Sequence, residues 1–551
     1  MILIMMTGPF AAGQSQLAEI DQFILDRMEA VVKPGFAACI IKDDSVVWSG
    51  NYGYAILEDS LPMTDSTIFN AFSIGKSLTA SCVMQLWEDS VITLEEDVNG
   101  FLPFQVDNPY VFNDSISPRM LLSHTSSIID NDLESYMTEG DPVMTMEYFL
   151  ENYLSDGGEF HSSSNFLNAA PGTIYNYSNF GSALAGFLVE PLTGTDFNSY
   201  ARQNLLDPLN MDQSAWFLEE LEMENLAVGY DYIGNENVPY PHYGHPAYPG
   251  VSLRSTVQDL SRFVIMLMNG GFYEGNQVLE AATIDTMMVR QPPGYFYCLG
   301  FQHSFVYNYH NTFQRVLKGH LGGGQFGYAG EIQICKEDNT GIVYLSNSSD
   351  WMATVKRRLF DYAAMIVIAL PAVDIDLAQF TAVWETAPDA TGYFLDVAMD
   401  ENFENIVGDY LDKDVGPDTS YLVAGLEADH AYYYRLRAYN QYDTGAYSNT
   451  VAVPVYTGIS ESSVVSRQSS VRVFPNPTYE IVHIEYEIKN PTSVCIQVFN
   501  AMGEMVVELS NGIMEIGKHQ IIWNVADLPA GMYFCKVQAG QEVSALKILK
   551  Q

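Results

Sequence analysis

Ser73-Ile74-Gly75-Lys76, in the run FNAFSIGKSLTA, pairs a hydroxyl with an amine at a spacing that can do chemistry. A serine hydroxyl is a poor nucleophile at neutral pH. It needs a nearby base and donors for the oxyanion that forms on attack. The strand–turn–helix elbow G-x-S-x-G is absent from the sequence. At i, i+3 on a helix the lysine rises one turn from the serine and can face it. The preceding TIFNAF is extended in character, which puts Ser73 near a helix start. There free N–H groups and the dipole favour a developing anion by about 0.3–1 kcal/mol when exposed. Burial would lower the lysine pKa and let Lys76 accept the proton. Ser544-Ala545-Leu546-Lys547 repeats the pattern without catalytic surroundings, so spacing alone does not decide.

Context separates the two copies. Downstream of Ser73 come Tyr177-Ser178-Asn179, in IYNYSNFGSALAGF, and then His320-Leu321-Gly322, in VLKGHLGGGQFGYAGEIQI. Serine, lysine, Tyr-x-Asn and a basic residue-x-Gly, in that order, resemble the serine β-lactamase and penicillin-binding-protein family. The branch is that of class C β-lactamases, D-Ala-D-Ala carboxypeptidases, D-aminopeptidases and related esterases. The resemblance covers residues 16–370. Met120-Leu121-Leu122-Ser123-His124-Thr125-Ser126 supports it, matching that branch's LLSHTSG run except at Ser127. So does Ser252-Leu253-Arg254-Ser255-Thr256 with Asp259, like its GGLRST..DL helix start.

The resemblance implies a role for each residue. Ser73 is the acylated nucleophile, Lys76 its proton-accepting partner, and Tyr177 a general base or acid toward Ser73 and the leaving group. Asn179 binds Lys76 and substrate. His320 stands where the lysine of K-T-G usually stands and lines the site with Gly322. The N–H groups of Ser73 and Gly323 form the oxyanion hole, worth about 2.7–4 kcal/mol per donor. Each residue also has a plainer reading. Tyr177 is one of 35 tyrosines and packing is the ordinary role. Asn179 suits a helix cap, His320 a hydrogen-bonded strand, and His124 a loop fixed by hydrogen bonds. Three motifs in the right order favour chemistry over the plain readings together.

The elements that must position these residues follow from periodicity. Phe36 to Tyr54 reads as a hairpin, and SLTASCVMQLWED as a helix with Leu78, Cys82, Leu86 and Trp87 on one face. GYAGEIQICKED and GIVYLSNSS read as paired strands, and DWMATVKRRLFDYAAMIVIAL as a closing helix. Strands from both ends around a helical middle predict an α/β (α+β) catalytic domain, its sheet antiparallel on the resemblance, over residues 16–370.

After Pro371 short strand-like runs recur with turn residues between, the pattern of an all-β sandwich over residues 371–457. Trp384, Leu426 and Tyr432 resemble the core tryptophan, leucine and corner tyrosine of a fibronectin type III domain. Ala428 and His430 replace its usual proline and threonine. Residues 458–470 are Ser-rich and read as a linker. Residues 471–551 form a second β unit that resembles the C-terminal sorting domain of type IX secretion substrates. The matching elements are Phe474-Pro475-Asn476-Pro477, Gly503, Leu528-Pro529-Ala530-Gly531-Met532-Tyr533, and the terminal Lys547 and Lys550. Residues 1–15, apolar and ending in small residues but lacking a basic leading region, read as a truncated signal segment, with an ordinary N-terminal tail as the alternative. The expectation is a protein secreted or attached to the outer cell surface.

Composition narrows the function classes. Of 551 residues, 25 are Lys or Arg against 68 Asp or Glu, a net charge of −43. That field repels nucleic acid and anionic membranes. The basic triplet Lys356-Arg357-Arg358 reads as a solvated helix face, and no run is long enough to span a bilayer. The six cysteines and the histidines show no metal-type spacing, so neither metal nor other cofactor is expected. Cys495 and Cys535 lie in strand-like runs that leave a disulfide open.

The favoured reading is an acyl-enzyme serine hydrolase of an ester or amide, of esterase or D-amino-acid peptidase type, with a small-molecule or peptide substrate. The machinery of type IX secretion is the second partner. Histidine for lysine at 320 removes a permanent cation, since imidazole is neutral above about 6.5. Leu321 removes the hydroxyl of K-T-G. Both changes weigh against β-lactam hydrolysis, the runner-up. A non-catalytic surface binding protein on the same scaffold is the alternative of another class.

Overall fold

The computed structural model describes residues 18–453 and 472–550, apart from 112–114, 294–295, 308–313, 377, 428–429, 442–443, 446, 475–477, 479–480, 489–490, 501–504, 527, 530 and 540–541. The signal segment, the linker, Gly503 and Ala428 fall outside the described residues.

GFAACIIK is apolar at nearly every position, and as strand β1 (Gly35–Lys42) it is buried on both faces. A strand covered on both faces needs no alternation of apolar and polar residues. β2 (Ser45–Ile56) folds back on it as the expected hairpin, and β3 (Leu61–Pro62) adds an edge. The chain then runs through β4 (Phe69–Phe72), α2 (Gly75–Glu88), α3 (Pro118–Leu122), α4 (Asn179–Phe187), β5 (Leu253–Ser255) and α5 (Val257–Met268), with α1 (Ala18–Ala30) preceding them all. It returns as β6 (Gln302–Tyr307), β7 (Gln314–Gln325), β8 (Tyr328–Cys335) and β9 (Thr340–Ser346), and closes with α6 (Ala353–Ala364). The seven-stranded sheet has the order β6-β7-β8-β9-β1-β2-β3, antiparallel throughout. Phe36 sits opposite Ser346, so both ends of the domain meet in mid-sheet.

Alternate residues of β1 serve two cores. Phe36, Ala38 and Ile40 pack with Ile20 and Ile24 of α1 and Val355 and Leu359 of α6. Ala37, Cys39 and Ile41 join Val264 and Leu267 of α5 and the helical region. Within that region α2 buries Leu78, Cys82 and Leu86, with Trp87 packed at the margin. Thr79, Ala80, Val83 and Met84 are buried too, so the helix is enclosed nearly all round rather than on one face.

The closing helix is shorter than its periodicity predicts. α6 stops at Ala364, and Met365, Val367 and Ala369 turn into the next core. Lys356 of the basic triplet reaches Glu331 at 2.8 Å instead of water.

The following strands are β10 (Ala369–Asp376), β11 (Gln379–Trp384), β12 (Gly392–Ala398), β13 (Lys413–Asp414), β14 (Ser420–Ala424), β15 (Tyr432–Tyr439) and β16 (Val451–Val453). They form two sheets, β10-β11-β14 and β13-β12-β15-β16, closed over Trp384, Tyr393, Leu436 and Tyr434. The Tyr432 hydroxyl donates to the Glu427 carbonyl at 3.0 Å and accepts its N–H at 2.8 Å.

Described by itself, the second unit has β17 (Arg472–Phe474), β18 (Ile481–Ile488), β19 (Thr492–Asn500), β20 (Met505–Met514), β21 (Gly517–Asn524), β22 (Gly531–Ala539) and β23 (Glu542–Lys550). Its sheets are β17-β18-β21 and β20-β19-β22-β23. Val482, Ile484 and Tyr486 alternate inward against Val494, Ile496, Val498 and Tyr533. The register sets Cys495 opposite Gln538 and Cys535 opposite Val498, and no disulfide joins the two. Among the described residues no helix is long and apolar enough to cross a membrane.

Candidate active site

Ser73 stands at the turn from β4 into α2. The residue before it, Phe72, has φ 45°, an unusual backbone for a bulky side chain, and its N–H is held by Asn70 Oδ1 at 3.0 Å. Such a position costs about 1–3 kcal/mol and is kept where surrounding packing enforces it. The turn leaves Ser73 partly exposed on the cleft while Lys76, one turn on, is buried.

Lys76 Nζ has three acceptors: Ser73 Oγ at 2.9 Å, Asn179 Oδ1 at 2.6 Å, and the Gly250 carbonyl. Burial pulls its ammonium down from 10.5 to about 7, with the negative charge of Asp130 opposing. Once neutral, the amine has two N–H groups and one electron pair. The carbonyl oxygens of Asn179 and Gly250 can only accept, so they take the two N–H groups. The electron pair is left for the Ser73 hydroxyl.

Tyr177 hydrogen-bonds Ser73, and its ring centroid lies 4.8 Å from Lys76 Nζ. Burial pushes the phenol above its ordinary value, so it keeps its proton in neutral water. Asn179 opens α4. Ser178 is the N-cap, accepting the Gly181 N–H at 2.9 Å, so Asn179 is free of the capping duty and turns its side chain toward Lys76.

His320 does not line the cleft. It lies on β7 with no exposed surface, behind Tyr177, with ring centroids 6.3 Å apart. Its Nδ1 faces the Leu321 carbonyl at 2.6 Å, which fixes the proton on Nδ1, and Nε2 accepts from Tyr297. Burial first, and the charge of Lys76 second, pull its imidazolium down to about 3. Leu321 faces the cleft in its place. His124 accepts the Ser178 N–H on Nδ1 at 3.1 Å and packs 4.4 Å from the rings of both Tyr177 and Tyr297.

Gly322 and Gly323 let β7 approach the turn that carries Ser73. A Cβ at Gly322 would stand 2.0 Å from the Ala71 carbonyl beside Ser73. Gly323 has φ 86°, and the pairing of β7 with β8 shifts register between Gly323 and Gln325. Such a bulge re-aims a strand's N–H groups. Ser73 and Gly323 share one cleft of about 390 Å³, with Tyr177, Asn179, Leu133, Met137, Tyr243, Val251 and Phe326. None of the described lining residues is Asp, Glu, Lys or Arg, and burial holds the lining His245 uncharged at about 4.

Sequence reasoning missed three groups here: Asp130, the Gly250 carbonyl and Tyr297. Asp130 is 49 residues from Asn179, and no local spacing joins them. Its one sequence signal is that a helix start at Ser178-Asn179 favours a nearby anion.

Comparison with known proteins follows the same outline. The family model described as Beta-lactamase matches residues 20–364, and that of the Secretion system C-terminal sorting domain matches residues 472–551. The D-aminopeptidase of Gluconobacter oxydans (strain 621H) is 30% identical over 216 residues, 37% of this chain and 38% of that protein. Protein flp of Staphylococcus aureus (strain N315) is 24% identical over 254 residues, 46% of this chain and 49% of the relative. Beta-lactamase-like protein 2 of Dictyostelium discoideum is 24% identical over 291 residues, 50% of this chain and 49% of the relative. The chain thus spans half or less of the length of these curated relatives. Among solved structures, the octameric penicillin-binding protein homologue from Pyrococcus abyssi aligns with a TM-score of 0.49 at 19% identity, covering 96% of this chain and 100% of that one.

Proposed function

The chain belongs to the Beta-lactamase family, and from that premise we propose that it is a serine hydrolase of esters or amides that works through an acyl-enzyme on Ser73. The observation that carries the reading is the Lys76–Ser73 contact at 2.9 Å, with the amine's other two acceptors satisfied. Lys76, uncharged above about pH 7, takes the Ser73 proton as the oxygen attacks the substrate carbonyl. General-base assistance of this kind contributes about 10²–10⁴ in rate. The N–H groups of Ser73 and Gly323 receive the oxyanion. Tyr177, which keeps its proton, donates to the departing oxygen or nitrogen. The Lys76 ammonium returns its proton to the Tyr177 phenolate. Neutral again, Lys76 takes a proton from the water that attacks the acyl carbonyl and passes it to Ser73 as the acid departs, while Asn179 and Gly322 hold the substrate edge.

The uncharged cleft supports a substrate without a carboxylate at its reacting end, an ester or a neutral amide such as a D-amino-acid peptide bond. The likeness to a D-aminopeptidase agrees with the amide branch. A β-lactam carboxylate would meet no cation among the described lining residues.

The strands β10 to β16, with buried Trp384 and the Tyr432–Glu427 corner, support a fibronectin type III-like domain after the catalytic one. The sorting domain supports export by the type IX route to the outside or the outer cell surface.

A fluorophosphonate probe tests the reaction. Intact mass should show one adduct on the wild type and none on Ser73→Ala. No adduct on folded wild type, or an equal adduct on the variant, overturns the reading. A panel of short-chain aryl esters, D-amino-acid amides and nitrocefin then separates the substrate classes.

A further inference from the structure

Asp130 lies in the loop that follows α3, six residues beyond His124, and gathers four donors from the first turn of α4. Oδ1 accepts from Ser178 Oγ at 2.8 Å and the Phe180 N–H at 2.9 Å. Oδ2 accepts from the Asn179 N–H at 2.6 Å and from Asn179 Nδ2 at 2.8 Å. A carboxylate here meets both the unpaired N–H groups and the positive end of the helix. Its bonds are the charge-assisted kind, roughly twice as strong as neutral ones.

The contact to Nδ2 matters most for the chemistry. A side-chain amide has a donor end and an acceptor end, and rotation exchanges them. With Nδ2 held by Asp130, Oδ1 must face Lys76, where it accepts at 2.6 Å. A reversed amide would aim N–H at the amine and compete for its electron pair, which the Ser73 hydroxyl needs.

Resting on the reading of Ser73 as nucleophile, we propose that Asp130 is a positioning residue for acyl transfer. It clamps the Asn179 amide so that the electron pair of Lys76 points at Ser73, and its charge favours the protonated amine. The groups facing Lys76 are Ser73 from the β4–α2 turn, Tyr177 and Asn179 at the start of α4, the Gly250 carbonyl, and the uncharged His124 and His320. Among these surroundings Asp130 is the negative charge that raises the amine's pKa against burial. Tyr177 and Tyr153 also feel that charge, which disfavours their phenolates.

The test is the rate of Ser73 labelling by a fluorophosphonate probe on the full chain, across about pH 5–9, where a base of this kind titrates. Asp130→Asn keeps the size but removes the charge and one acceptor. Its acidic limb should move to lower pH by about half a unit or more. Its plateau rate should fall about tenfold or more as the amide loosens. Asp130→Glu keeps the charge and displaces the carboxylate, so its limb should stay while its plateau falls. Circular dichroism checks folding, and if Asp130→Asn does not fold the Glu variant decides alone. A profile superimposable on wild type in the folded variant overturns this proposal. An unlabelled wild type overturns the nucleophile reading and this proposal with it.

Discussion

Arg315 and Asp389 lie 3.3 Å apart, Arg315 on the strand that carries Gly322 and Gly323, Asp389 in the β-sandwich that follows α6. Arg315 is 3% exposed and also pairs with Asp338, in the turn between β8 and β9, and with Asp361 of α6 at 3.0 Å. One guanidinium therefore joins the seven-stranded sheet, its closing helix and the β-strands that follow.

Removing that cation should cost far more than removing one of its partners. Arg315→Met leaves three carboxylates facing each other, and breaking a buried charge set costs about 3–5 kcal/mol. Asp389→Asn loses one partly solvated arm and should cost about 1 kcal/mol or less. Urea unfolding followed by tryptophan fluorescence compares the two. Equal midpoints for both variants would contradict the clamp.

Acylation should rise with pH through about 7. Below that value Lys76 is an ammonium without an electron pair, and above it the amine is free to take the Ser73 proton. No limb between pH 5 and 8 should belong to His320, which burial holds at about 3. Histidine ring resonances followed by NMR check the assignment. A His320 signal that titrates between about pH 6 and 7, the ordinary range, contradicts it.

Gly323→Ala should leave a folded protein that acylates poorly. At φ 86° an added Cβ is strained and would stand 2.2 Å from the Tyr328 carbonyl, so the bulge must move and take its N–H along. Loss of one oxyanion donor costs about 10²–10³ in rate. The labelling rate at saturating probe, beside an unchanged circular dichroism spectrum, measures it. An unchanged rate would remove Gly323 from the oxyanion hole.

A chain ending at Ser470 should be made and folded but stranded before the outer surface, because the sorting domain is lost. Fractionation of cells and medium reads the outcome. Secretion equal to the full chain would refute the sorting role.

The site was legible in sequence where chemistry depends on short spacing. Ser73 and Lys76 share one helical turn, and Tyr177 and Asn179 flank one N-cap, so periodicity brings each pair together. What crosses the fold left no such trace. Asp130, Gly250 and Tyr297 reach the site only through tertiary packing. The side of β7 that His320 faces depends on strand register, which a glycine-rich run fixes weakly. For the same reason α6 ended earlier than its apolar run suggested. Periodicity does not show that Met365, Val367 and Ala369 have a different core to fill.

The pairing of Phe36 with Ser346 has a consequence for the order of events in the life of the chain. Contacts that join positions so far apart form late, after a long loop has been closed. Ser73 and Lys76 emerge early in synthesis, but β7, which carries Gly323, is held in the sheet through β8 and β9. On the proposed mechanism, an unfinished chain therefore carries Ser73 without the donor that would stabilise its transition state, and acyl transfer waits until the last strands of the sheet arrive.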